Sequence, residues 1–315
     1  MERVPDETAF VVPQELLILG AAVKTGMLEA IKYKPATVEE LAGEISADVR
    51  AVWVVAEALI ALGYLTKQGE KLRLTKEAED MLYNPEAQNY TGFSFMHRYN
   101  VINSWVHLPE VIRTGRPRPR EKGPENIKYF MAAMSHSARQ GAPAVAGFCL
   151  EGDGKGKKVL DVGGGPLTYA RAFASLGARV TVLDLPEVVE YMTPFLEGTE
   201  GIEMIPGDFN LALPPGPFDL AFLGNVCHIY GEHENRELFK KAAAVLAPGK
   251  KIAVVDFVRG TNPAAAVFGV NMLISTSNGG TWTFEQYSAW LGDAGFEGVE
   301  LSEVGGRQVL TAKKR

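Results

Sequence analysis

The sequence predicts a two-part α/β chain. A mostly helical domain closed by a hairpin is expected over residues 1–118, and a domain of alternating strands and helices around a mostly parallel sheet over 119–315. Three observations predict it. Three helical apolar patterns precede a short hairpin pattern before residue 76. In mid-chain, Lys158-Val-Leu-Asp161-Val-Gly163-Gly-Gly165-Pro runs from an apolar strand through three glycines to a helix start. Beyond it, short β-branched runs alternate with helical segments to the end of the chain.

In order, Val12, Leu16, Leu19, Val23, Met27 and Ile31 share helical spacing over 10–30. Thr37 followed by Glu40 is a capping box that opens a second helix. A third runs over 47–62 and stops at Gly63, and 64–75 reads as a hairpin turning at Gln68-Gly69. Helix, helix, helix and hairpin is a winged-helix arrangement. Its third helix, Val49-Arg-Ala-Val-Trp-Val-Val, carries one arginine and almost no polar face for base edges. It is therefore expected to be covered by protein, in a dimer interface, in preference to DNA. The aromatic-rich segment 90–115 reads mainly as core helix, with a subset available to a flat ligand. Residues 115–124 are a loop by composition. A helix over 126–148, with Phe130, Met134 and Ser137 on one face, leads into the glycine strand and is expected beside a ligand mouth. Strands then end at Asp184, at Asp208-Phe209 and before His228. A Pro248-Gly249 break, a strand to Asp256, an unassigned apolar segment 264–274, a helix over 283–294 and a hairpin at Gly305-Gly306 complete the pattern, which gives the parallel sheet an antiparallel edge.

A chain of 315 residues, 46% hydrophobic and 22% charged, can bury a sizeable core. Its net charge of −6 argues against a phosphate-binding surface as the main function, so no nucleic-acid partner is expected. The two cysteines, Cys149 and Cys227, lack metal-ligand spacing and read as core thiols of a reducing, cytoplasmic compartment. No metal site, export signal or membrane span is expected.

The glycines permit close backbone approach to a small cofactor. A nicotinamide fingerprint requires glycine where Thr168 stands, and Asp161 already precedes the glycines, so a dinucleotide fits poorly. Asp184 follows at the distance where doubly wound folds hold ribose hydroxyls. Asp208 and Phe209 suit an adenine amine and ring. His228 follows a strand ending on the same sheet edge, and Asp256, at the end of the neighbouring strand, can orient its imidazole.

Asp161-Val-Gly163-Gly-Gly165 resembles motif I of class I S-adenosylmethionine (SAM) methyltransferases. Together with Ser104-Trp105, Leu108, Gly115, Phe130, Met134, Asp184-Leu-Pro, Gly207-Asp-Phe and His228 before a helix, it makes the chain similar to small-molecule O-methyltransferases. That family, of plant caffeate and bacterial antibiotic and pigment type, joins a winged-helix dimerisation domain to a Rossmann-like SAM domain. The resemblance implies a homodimer that uses SAM and releases S-adenosylhomocysteine (SAH). It implies cofactor contacts from Asp161, Gly163, Gly165, Asp184, Leu185, Asp208, Phe209, Asn225 and Met134, and a substrate pocket with Phe130, His97 and Met272. His228 falls at the general base and Asp256 at its flanking acid. Three departures stand out: Leu167 replaces a glycine, Ile229-Tyr230 replaces Asp-Trp after the base, and Thr281-Trp282 occupies the place of a further charged residue. Nitrogen or carbon methylation, another SAM reaction on this scaffold, and a SAM-sensing winged-helix regulator are the alternative readings.

Overall fold

The computed structural model describes residues 11–117 and 124–315. By its internal contacts the chain forms two compact units, Met1–Val101 and Ile102–Arg315. The domain boundary expected at 118 lies outside the described residues, as does Phe10.

In the first unit, α1 (Gln14–Lys24) and α2 (Met27–Ile31) replace the single expected helix. Gly26, at φ 78°, breaks it, because a left-handed residue cannot continue a right-handed helix. The capping box of α3 (Val38–Glu44) forms as expected. The Glu40 amide donates to Thr37 Oγ1 at 3.2 Å, and the Thr37 amide donates to Glu40 Oε2 at 2.9 Å. Asp48 caps α4 (Val49–Ala61) through the Ala51 amide. Strands β1 (Leu65–Gln68) and β2 (Lys71–Leu74) pair antiparallel with Gln68 opposite Lys71. The turn is therefore Gly69-Glu70, one residue later than expected, with Gly69 at φ 62°. Helices α5 (Lys76–Tyr83) and α6 (Phe95–Trp105) follow. Val52, Ala56 and Leu59 form the buried stripe of α4, whereas Val49, Trp53 and Val54 remain 45–51% exposed.

The second unit takes in the last residues of α6 and continues with α7 (Leu108–Thr114), α8 (Pro124–Ala138) and α9 (Ala142–Leu150). The one helix expected over 126–148 is broken at Gly141, just before Pro143, whose missing N–H suits a first helical turn. A Cβ at Gly141 would lie 2.8 Å from the Gly305 carbonyl oxygen, so the break is also a place of close backbone packing.

Parallel strands β3 (Lys158–Val162), β4 (Arg179–Asp184), β5 (Ile202–Pro206), β6 (Phe218–Gly224) and β7 (Leu246–Val255) join antiparallel β8 (Phe296–Val304) and β9 (Arg307–Lys314). Their order is β5-β4-β3-β6-β7-β9-β8, the expected mostly parallel sheet with an antiparallel edge. Pro248-Gly249 does not interrupt β7. A register shift against β6 between Phe218 and Leu220 absorbs it. Helices α10 (Thr168–Ser175), α11 (Pro186–Met192), α12 (Glu232–Val245), α13 (Pro263–Ser275) and α14 (Phe284–Asp293) complete the unit, and the segment left unassigned over 264–274 is α13.

Alternate residues of each parallel strand enter separate cores, as expected of a sheet covered on both faces. Val159, Val182 and Phe222 pack with Phe173 on one face, and Leu160, Leu183 and Leu223 pack with Phe239 and Trp290 on the other. The chain winds from β3 toward β5 in one direction and from β6 toward β7 in the other. The switch point between β3 and β6 is where open α/β sheets leave a crevice beyond the strand ends.

Candidate active site

Each candidate side chain follows from a strand end. At β3, Asp161 is 1% exposed, and its Oδ2 has no hydrogen-bond partner among the described residues. Burial, and then the nearby Asp184 charge, push its carboxyl up to about 8. The glycine turn wraps tightly around this group. A Cβ at Gly164 would lie 2.6 Å from Asp161 Oδ2, and one at Gly163 would lie 2.9 Å from Val226. Gly163 and Gly165 have φ of 68° and 31°. Leu167, in the place where glycine was expected, itself takes the left-handed conformation at φ 63°, while its side chain is fully buried.

Asp184 closes β4 as the sequence predicts. Its Oδ2 accepts the Gly165 amide and its Oδ1 the Leu185 amide, both at 2.8 Å. Its carboxyl is raised, chiefly by burial, and the two amides offset part of that rise. Leu185 is 40% exposed beside it. In the loop after β5, Asp208 Oδ1 accepts the Asn210 amide at 2.8 Å, and buried Phe209 meets Tyr230 edge-on with centroids 5.6 Å apart. The glycine turn, the ribose candidate and the adenine candidate therefore share one sheet edge. Asn225, just past β6 at φ 60°, joins them there and donates its amide to the Val255 carbonyl.

His228 lies in a short 3₁₀ turn, Cys227–Ile229, beyond the same end of β6. Its Nδ1 is 2.6 Å from Asp256 Oδ1, and the pair is nearly closed to solvent. Three further donors reach the Asp256 carboxylate: the His228 amide at 3.0 Å, the Phe257 amide at 2.7 Å and the Tyr287 hydroxyl at 3.2 Å. In the neutral imidazole, the tautomer that donates from Nδ1 to this carboxylate leaves Nε2 as the bare nitrogen. Phe268 stands edge-on to the imidazole at 4.9 Å and stacks on Phe257 at 4.0 Å, giving His228 an aromatic wall.

The remaining predicted residues are more dispersed. Phe130 and Met134 are half-buried on α8, and Phe130 packs against the core of one sheet face. Met272 is buried on α13, and His97 lies on α6 in the first unit. Sequence reasoning missed Met131, whose sulfur would be 3.3 Å from a Cβ at Gly165, and Ser135, which is bonded to Thr168. Their i, i+4 spacing was the available signal. Tyr287 and Phe268 were also missed, and no local pattern marks them.

A glycine turn at the switch point, acids at successive strand ends and a histidine–carboxylate pair on the same edge define a class I methyltransferase domain. Residues 109–297 match the family model of the O-methyltransferase domain, and the chain belongs to that family. It is an S-adenosylmethionine-dependent methyltransferase. The tetracenomycin polyketide synthesis 8-O-methyl transferase of Streptomyces glaucescens is 25% identical, over 94% of this chain and 92% of its own. Human N-acetylserotonin methyltransferase in complex with SAM shares the fold at a TM-score of 0.74 and 22% identity, covering 100% of this chain and 99% of the other. N,N-8-amino-8-demethyl-D-riboflavin dimethyltransferase of Streptomyces davawensis does so at 0.74 and 21%, covering 96% of each. No described helix is long and apolar enough to cross a membrane.

Proposed function

We propose that the chain methylates a hydroxyl group of a small aromatic molecule, with His228 as general base. The observation that carries this reading is the buried His228–Asp256 pair, which offers a bare Nε2 on the sheet edge that also bears the glycine turn. When bound, SAM supplies an electrophilic sulfonium methyl. The residues present suit that cofactor. Asp161 Oδ2, buried without a hydrogen-bond partner among the described residues, complements the ammonium of a methionine moiety. Gly163 and Gly165 open the space beside it, with Asn225 just past the neighbouring strand and Met134 assigned to the cofactor from α8. Asp184 and Leu185 fit the ribose, and Asp208 and Phe209 the adenine.

The chain's own chemical work is to take the acceptor's hydroxyl proton on Nε2 and to hold the resulting imidazolium against Asp256. A phenol titrates near 10 and a free imidazole near 6.5, so complete proton removal beforehand would cost about 5 kcal/mol. Removal as the new bond forms is cheaper. A positioned base contributes about 10²–10⁴-fold. Alignment of nucleophile and methyl can supply about 7–11 kcal/mol, so geometry outweighs the base. The Phe257–Phe268 wall supports a flat acceptor, with Phe130 and Met272 assigned to its pocket.

The relative of known structure named as an amino-riboflavin dimethyltransferase supports a second reading, methylation of an aromatic amine, because it performs that chemistry on the same fold. The exposed apolar face of α4 supports a winged-helix domain that dimerises in preference to reading DNA, and free, buried Cys149 and Cys227 support a reducing cytoplasm. A screen of phenolic and amine acceptors with methyl-labelled SAM tests the reading. Turnover is expected with phenols, lost steeply in His228→Ala while SAH still binds. Full activity of that variant across pH would remove the histidine from the mechanism.

A further inference from the structure

We infer that Asn235 is a positioning residue for His228, an inference that rests on the role proposed for that histidine. Asn235 occupies the first turn of α12 and is fully buried. Its Nδ2 donates to the carbonyl oxygens of Cys227 at 2.9 Å, Tyr230 at 3.0 Å and Gly231 at 2.9 Å. These carbonyls bracket His228 and Ile229, so one side-chain amide ties both ends of the 3₁₀ turn together. Two hydrogens serve three acceptors, and one of them is shared. The reversed amide would set its oxygen against three carbonyl oxygens, which fixes the orientation.

The arrangement has a cost that space-filling alone does not explain. Asn235 Oδ1 is buried without a partner among the described residues, a penalty that an apolar side chain would avoid. What the amide provides is a fixed backbone on the side of the turn opposite Asp256, which holds the imidazole and the His228 amide. The same helix fastens the loop assigned to adenine. Lys241 Nζ donates to the carbonyls of Phe209 and Asn210, and Asn210 Nδ2 donates to the Tyr230 hydroxyl at 3.0 Å. Helix α12 is thus the common strut of the cofactor loop and the base, with Asn235 acting at the base end.

The test is a double-variant cycle of Asn235→Ala and His228→Ala. Turnover is measured with labelled SAM and the phenolic acceptor that the wild type uses best, and affinity by calorimetry with SAH. A misplaced base loses up to about 10²-fold, so Asn235→Ala is expected to lower kcat about 10- to 100-fold with SAH affinity within about twofold. In the His228→Ala background it should lower kcat no further. Asn235→Ser, which keeps one donor, should fall between wild type and alanine and replaces it if the alanine variant does not fold. Independently of any acceptor, the His228 Nδ1 proton resonance of the SAH complex, identified by its loss in His228→Ala, should broaden in the Asn235 variants. Unchanged turnover in His228→Ala would refute the base assignment itself. A crippled His228→Ala beside fully active Asn235 variants, multiplicative losses in the double variant, or an unaltered resonance would overturn the inference about Asn235.

Discussion

Asp256 grips His228 twice, through the imidazole Nδ1 at 2.6 Å and through the backbone amide at 3.0 Å, using both carboxylate oxygens. Orientation of the ring and position of the turn therefore depend on one side chain.

Asp256→Asn should separate these contributions from simple packing. The two carboxylate oxygens meet four donors, and a carboxamide would oppose two of them with its own N–H groups. Turnover should fall by at least about 10²-fold. Stability should fall by about 1–3 kcal/mol, while SAH affinity stays near wild type. Steady-state kinetics, urea unfolding and calorimetry on one preparation check all three. A variant within threefold of wild-type turnover would deny Asp256 its orienting role.

Leu167 should invert the usual ranking of alanine over glycine. Its backbone is left-handed at φ 63°, and its side chain is fully buried. Both small substitutions lose about 2–3 kcal/mol of burial. Only glycine also relieves the conformational strain, worth about 1–2 kcal/mol. Leu167→Gly should thus be more stable than Leu167→Ala by about 1 kcal/mol, and less stable than wild type. Urea midpoints at constant slope decide the order.

Asp161 should impose a pH dependence of the opposite sign to that of an ordinary paired acid. Its carboxyl, at about 8 in the folded chain, stands above the value near 3.9 of an unfolded aspartate. The folded chain then binds the extra proton between these values. The contribution to stability is full below about pH 4, declines as pH rises, and levels off above about 8. Since carboxylates such as Glu40, Asp80 and Glu151 are depressed by their partners, the diagnostic is the difference between wild type and Asp161→Asn. Denaturation series from pH 5 to pH 9 should show wild type losing ground to the variant up to about 8. Parallel curves would rule out a buried protonated acid.

Trp53 is 51% exposed on the apolar face of α4. A charge there should disrupt self-association and leave the unit folded, because the buried stripe of the same helix is Val52, Ala56 and Leu59. Sedimentation is expected to give a dimer for wild type and a monomer for Trp53→Lys. A monomeric wild type, or a dimer unchanged by the substitution, would deny this face a role in self-association.

Much of the fold was legible because its signals are local. The Thr37–Glu40 capping box, the hairpin after Gly63 and the strand ends at Asp161 and Asp184 all come from patterns a few residues long. Misreadings also have local causes. Gly26 and Gly141 sat inside apolar patterns regular enough to mask the breaks, and α13 is so uniformly apolar that no period marks it as a helix. At the site, Asp256 was legible from its strand, but Tyr287 lies 31 residues beyond it, and nothing near that tyrosine announces its bond.

The sequence by itself determined which strands end in acids, where glycine permits a tight turn, and that a histidine follows the next strand, since side-chain period and backbone freedom are properties of neighbours. Only the tertiary structure decided that Asp161 Oδ2 is buried without a hydrogen-bond partner among the described residues, that Leu167 takes on a glycine's conformation, and that Asn235, Asp256 and Tyr287 converge on one turn. Burial, strain and hydrogen bonding between distant residues are set when the sheet closes and the helices pack on it, and no stretch of the chain contains them alone.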